Sequence, residues 1–189
     1  MIQRTLQSFS IFLLLALAIS APAAELKPGA VAHLSFRNVD GHDLSTSSGY
    51  ITIITVVTRE TQDKAQAVAD LVPDRYLGNP RYHYVTLVNF QRKIFGPFQG
   101  LTRAVIRQRL DAEADKLRPQ YAAKKINRNP RDDIFVIADF DGSAVQKLGL
   151  ASDANGVSVF VFNGRGKLVE RWNGVPPDDS LGKAIVAAE

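Results

Sequence analysis

The sequence predicts a single α/β domain, a mixed sheet flanked by helices, and three observations carry that expectation. Tyr50 to Val57 (YITIITVV) is a β-branched run without charge, as expected of a strand buried on both faces. A helical pattern and a second strand-like run, Tyr82 to Phe90 (YHYVTLVNF), follow it closely and complete a βαβ unit. Near the C-terminus, GVSVFVFNGRGKLVERWNG holds two alternating runs around Asn163-Gly164, the pattern of a hairpin.

The elements follow in order along the chain. One basic residue, Arg4, precedes the apolar run Ile11 to Ile19 and the small-x-small site Ala21-Pro22-Ala23, so residues 1–23 read as a cleaved secretory signal peptide and 24–189 as the mature domain. The apolar run is about half the ~20 residues that span a bilayer core, and no later stretch is long enough. Residues 24–32 read as an extended leader, and His33 to Asp43 as a hairpin around Asp40-Gly41. A helix is expected from Gln62, with Ala65, Val68, Ala69 and Val72 on one face, Thr58 or Thr61 as its cap and Pro73 as its stop. A longer helical insertion is expected around 95–128, its apolar stripe made by Leu101, Val105, Leu110, Ala114 and Leu117, with Pro119 kinking or ending it and Tyr121 to Ile126 restarting it. DDIFVIADFDG then reads as strand and turn, AVQKLGL as a short helix, and Asp178-Asp179-Ser180 as the acidic start of a final helix.

Composition excludes several chemistries. The chain has no cysteine, which rules out thiol nucleophiles, thiolate metal sites and iron–sulfur clusters, and leaves stability to packing alone. Its 23 basic residues oppose 19 acidic ones; loss of Arg4 with the leader leaves 22 against 19, a surplus too small to argue for nucleic acid.

Two stretches carry a family resemblance. Phe36 to Leu44 (FRNVDGHDL) resembles the N-terminal hairpin of the exported thioredoxin-like and peroxiredoxin-like (AhpC/TSA-type) branch of the thioredoxin superfamily. DGSAVQKLGL followed by GVSVFVFNGRGKLVERWNG resembles that branch's later segment, where the family carries a Gly-Val-Pro motif. Covering most of residues 31–189, the resemblance implies a thioredoxin-like fold and a redox-active pair at the end of the central strand. It carries the family's Cys-x-x-Cys onto Thr61-Gln62-Asp63-Lys64, and the peroxidase Thr-x-x-Cys onto Thr58-Arg59-Glu60-Thr61. A threonine hydroxyl without a neighbouring base does not replace a thiolate. Where the family has a cis proline, the chain has Gly156-Val157-Ser158; a cis bond before serine costs ~2.5–4 kcal/mol, so a trans bond and a reshaped loop are expected.

The resemblance therefore implies a scaffold whose thiol chemistry is gone. The expectation is an exported binding or structural module, with no cofactor, that meets another exported protein through the vacated face: Thr58, Arg59, Glu60, Thr61, Lys64, Val157 and Ser158. The charged residues of that face also read as simple capping and solvated charge. The alternative is an antioxidant or oxidoreductase-type enzyme that relies on a cofactor or a partner's thiol. His33, His42 and His83 are scattered and lack ligand spacing, Asp132-Asp133 reads as a strand start or a solvent-facing pair, and Trp172 as core or sheet packing. Lys116, Arg118, Lys124, Lys125, Arg128 and Arg131 form a basic stretch that is either a solvated face or a weak site for anionic lipid or polymer.

Overall fold

A computed structural model describes residues 25–189 except 92 and 95. The expected leader, residues 1–23, lies outside the described residues.

The first hairpin joins β1 (Ser35–Arg37) to β2 (Asp43–Ser45) around Gly41, whose φ is 87°. β3 (Ile51–Thr58) is buried at all eight positions, as its uncharged sequence predicts. It pairs in parallel with β4 (Tyr82–Asn89), which pairs in parallel with β5 (Ile134–Asp139). On its other edge β3 meets β6 (Ser158–Phe162) antiparallel, and β6 turns back into β7 (Leu168–Asn173). The sheet order is β5-β4-β3-β6-β7, with β3 central.

Alternation along the strands divides the core into two layers. Ile53, Val57, Val159 and Val161 face one side, where α1 (Asp63–Asp70), α2 (Gly96–Ala123) and α4 (Ser180–Ala188) supply Val68, Ile106, Leu110, Leu181 and Ile185. Ile54, Val56, Phe160 and Phe162 face the other, packed by α3 (Ser143–Lys147) through Val145 and Leu148, and by the first hairpin through Phe36 and Leu44.

Three expectations change on contact with the structure. α2 runs unbroken through Pro119 to Ala123 instead of ending there. The buried Tyr121 anchors its last turn by donating its hydroxyl to Asp133 Oδ2 at 2.9 Å, which offsets the backbone hydrogen bond that proline cannot make. The apolar stripe of α2 is also rotated: Leu101 and Val105 are 64% and 42% exposed, while Ile106 and Leu110 pack inward and Ala114 is buried. The Asn163-Gly164 hairpin forms, but not as a two-residue turn. Asn163 Oδ1 accepts hydrogen bonds from Arg165 N and Lys167 N, and the positive φ falls on Gly166. Gly164 is needed for close approach: a Cβ there would stand 2.7 Å from Gly49 O, in the loop that leads into β3.

Phe160, at 0% exposure, fills the α3 layer from the strand next to the centre. Truncating it to alanine is expected to cost roughly 3–5 kcal/mol of unfolding free energy, read by urea denaturation; a loss below about 1 kcal/mol contradicts the two-layer packing.

Candidate functional site

The three parallel strands all end on a polar residue, and pairing brings those residues side by side: Thr58 lies opposite Asn89, and Asn89 opposite Asp139. All three are buried, at 1%, 1% and 3% exposure. The carboxyl edge of a parallel sheet is where α/β folds usually place a site, so what these side chains bind decides what the edge can do.

Each is used to hold a connection. Thr58 closes the 3-10 turn Arg59–Thr61: its amide donates to Thr61 Oγ1 at 2.9 Å, and the two hydroxyls are hydrogen-bonded at 3.2 Å. Asn89 donates through Nδ2 to Ser152 O and Ala154 O, at 3.0 and 3.2 Å, and accepts from Gln91 N at 2.8 Å. Asp139 accepts from Gly142 N and Val145 N, both at 2.9 Å, and so fixes the start of α3. Gly142, at φ 81°, makes this turn possible and leaves room for Ser152, which a Cβ would meet at 2.5 Å.

Charge at this edge is divided between two carboxylates. Burial pushes Asp139 above its ordinary 3.8; its amide hydrogen bonds pull the other way, and contact with Asp141 adds to the rise. Asp141 is held below 3.8, first by the Ser143 hydroxyl and amide. The pair therefore splits, one carboxyl keeping its proton to higher pH beside one that loses it early.

The seven residues expected to form the vacated face do not behave alike. Thr58 and Thr61 are brought together and bonded to each other. Arg59, Glu60 and Lys64 are exposed, Glu60 forming a 3.3 Å ion pair with Lys93. The Glu60 carboxyl is lowered chiefly by its own backbone amide, then by the Thr58 hydroxyl and Lys93. Val157 and Ser158 are buried; Ser158 belongs to β6, opposite Val56, and Val157 O accepts from Gly174 N at 2.7 Å. No described peptide bond is cis, as expected for Val157-Ser158.

Other candidates resolve simply. No group of histidines and carboxylates among the described residues could hold a metal. His83 is stacked against Tyr50 with ring centroids 3.9 Å apart, and burial lowers its pKa. Asp132 and Asp133 lie in the 3-10 turn that leads into β5, where Asp132 is exposed and Asp133 pairs with Arg128 at 2.7 Å. In the basic stretch Lys116, Arg118, Lys124, Arg128 and Arg131 all hold ion pairs. Trp172 packs against the core.

In the layer of α1, α2 and α4, a cavity of about 790 Å3 lies between α1, α2 and the sheet, lined by Ile53, Val68, Tyr84, Ile106 and Leu110. The Tyr84 hydroxyl is buried and has no hydrogen-bond partner among the described residues, and burial raises its pKa above the usual phenol value. Thr58, Asn89 and Asp139 do not line this cavity.

This layering has solved counterparts. The chain has a thioredoxin-like fold. It is similar to a Chlorobium tepidum protein assigned as a thiol:disulfide interchange protein DsbE, with 13% identity, TM-score 0.53, and 87% of this chain and 99% of that one covered. A peroxiredoxin-like protein from Aquifex aeolicus gives 13% identity and TM-score 0.52 over 89% and 91% of the two chains. The exposed lipoprotein thioredoxin of Streptococcus pneumoniae gives 13% and 0.50 over 82% and 99%. No protein-family model and no curated sequence matches the chain. At these identities the likeness is one of fold, and the thioredoxin-like fold here carries no cysteine.

Sequence reasoning found Thr58 but missed Asn89 and Asp139. The available signal was a single polar residue closing each apolar run, Val88-Asn89 and Ala138-Asp139, just before a turn.

Carboxyl-detected NMR should show Asp139 titrating above 3.8 and Asp141 below it. Because Asp141 raises Asp139, Asp141→Asn is expected to bring the Asp139 midpoint down. An unmoved or rising midpoint contradicts the coupling.

Proposed function

We propose that this chain is an exported thioredoxin-fold protein without thiol redox chemistry, and that it works as a binding module for another exported protein. The observation that carries the reading is the pairing of Thr58 and Thr61. Thr61 stands where the family resemblance puts a thiol, and its hydroxyl is bonded to that of Thr58, which sits in a buried strand end. Thr61 Oγ1 also accepts from the Thr58 amide, and the Thr58 hydroxyl is held by the Glu60 carboxylate, so both hydroxyls are tied into the 3-10 turn.

The contact surface would be the exposed part of that face: Arg59, Glu60 and Lys64, carried by the 3-10 turn and the first turn of α1. Val157 and Ser158 would serve from behind, as buried support. Export rests on the signal-peptide pattern of residues 1–23 and agrees with the exposed lipoprotein among the similar structures. Among the described residues no helix is long and apolar enough to cross a membrane.

The alternative is an oxidoreductase-type enzyme that borrows a cofactor or a partner's thiol. Its support is the fold of the similar structures, and it predicts peroxide or disulfide reduction once that reagent is supplied.

The test is affinity capture from the exported fraction of the source cells, with wild type and the Glu60→Lys, Lys64→Glu double variant as folded baits. A partner held by wild type and lost by the variant is the expected result. Equal capture by both baits overturns this choice of face, and reduction of peroxide or a disulfide above a heat-inactivated control favours the enzyme instead.

A further inference from the structure

The turn of the first hairpin and the middle of α2 enclose a cleft of about 250 Å3 beside Ala138 of β5. Three arginines line it: Arg37 from the hairpin, and Arg103 and Arg107 one helical turn apart on α2. Sixty-six residues separate the hairpin arginine from the first of the helical ones, so only the fold brings them together.

The other residues that line the cleft do not balance their charge. The one carboxylate lining the cleft is Asp40, and it is engaged at 2.7 Å by Arg131, which also holds Asp111 at 2.9 Å. Arg131 and Asp111 contribute one charge of each sign, so three lining cations against Asp40 leave an excess of two positive charges.

Their donors are also largely free. Each guanidinium carries a planar fork of N–H groups and no acceptor. Arg107 donates through Nη1 to Val39 O at 3.3 Å. Arg103 lies over the Phe140 ring, its Cζ 4.7 Å from the centroid, a cation–π contact that holds the group without using its N–H donors in a hydrogen bond. Arg37 makes no hydrogen bond or ion pair among the described residues.

Bringing three like charges together in one concave site is unfavourable unless something neutralises them. The guanidinium fork matches the oxygens of a phosphoryl group bidentately. We infer that this cleft binds a phosphoryl dianion, as inorganic phosphate or as a phosphate monoester. Two negative charges cancel the excess, the volume admits a phosphoryl group with room for a small ester substituent, and Arg103, held against Phe140, gives the site one preorganised fork. Arg37 and Arg107 close on the remaining oxygens from the hairpin and the helix. The cleft shares no residue with the Arg59–Lys64 surface, so its test is independent of the partner-binding proposal.

The experiment is calorimetric titration of the mature protein with inorganic phosphate at constant ionic strength held by chloride, alongside amide NMR. Saturable binding is expected, with shifts centred on Asp40, Gly41, Arg103 and Arg107. Arg103→Gln with Arg107→Gln is expected to weaken affinity at least about tenfold, since each charge-assisted hydrogen bond lost is worth about that much. The exposed Arg37→Gln weakens it without touching α2, which keeps the test valid if the double variant is unstable. An Arg109→Gln, Lys125→Gln control loses the same charge outside the cleft and should bind as wild type. Glycerol phosphate binding more tightly than inorganic phosphate would assign the ligand as a monoester, and the reverse order as the free ion. A response to phosphate no greater than to chloride, or equal binding by Arg37→Gln and the double variant, overturns the proposal.

Discussion

The structure depends on one row of buried polar side chains. Thr58, Asn89 and Asp139 stand side by side at the ends of three parallel strands, and each closes the connection that its own strand opens. Burying such groups is costly unless every one is hydrogen-bonded, and these are. The return is positional. The 3-10 turn before α1, the loop at Ser152–Ala154 and the start of α3 are all tied to a sheet whose central strand is wholly buried. In a chain without disulfides, such ties hold the long connections of an α/β fold in place.

The same row ties up the side chains at this edge of the sheet. A catalytic hydroxyl needs a free lone pair, a base and access. The Thr58 and Thr61 hydroxyls bond to each other, with the Glu60 carboxylate also on Thr58, and Ser158 takes its place in the ladder opposite Val56 where the family resemblance calls for a proline. What this end leaves to solvent is charge: Arg59, the Glu60–Lys93 pair and Lys64. The arginine cleft, at the sheet's β5 edge, lies on different elements and adds a separate anionic preference.

Where hydrophobic pattern alone decides, the sequence was legible. The uncharged run of β3, the βαβ unit, both hairpins and the acidic start of the last helix form where the pattern puts them. α2 was harder, because its length exceeds the core that covers it. Leu101 and Val105 keep helical spacing yet point outward, and Pro119 is carried by the tertiary anchor of Tyr121, which no local pattern reveals. The polar row was half legible: a threonine after a strand reads as a cap, but that Asn89 and Asp139 lie beside it follows only from strand register. The arginine cleft was not legible at all, since its residues meet only through the docking of the hairpin on α2.

The most direct test of this account is native-state hydrogen exchange at the amides that the row engages: Thr58, Gln91, Gly142 and Val145. If the row locks the edge, these four exchange only with global unfolding, as slowly as the amides of β3. Exchange through local opening, at rates typical of exposed loops, would mean that the edge is free to move and that its side chains are available for something other than holding the fold.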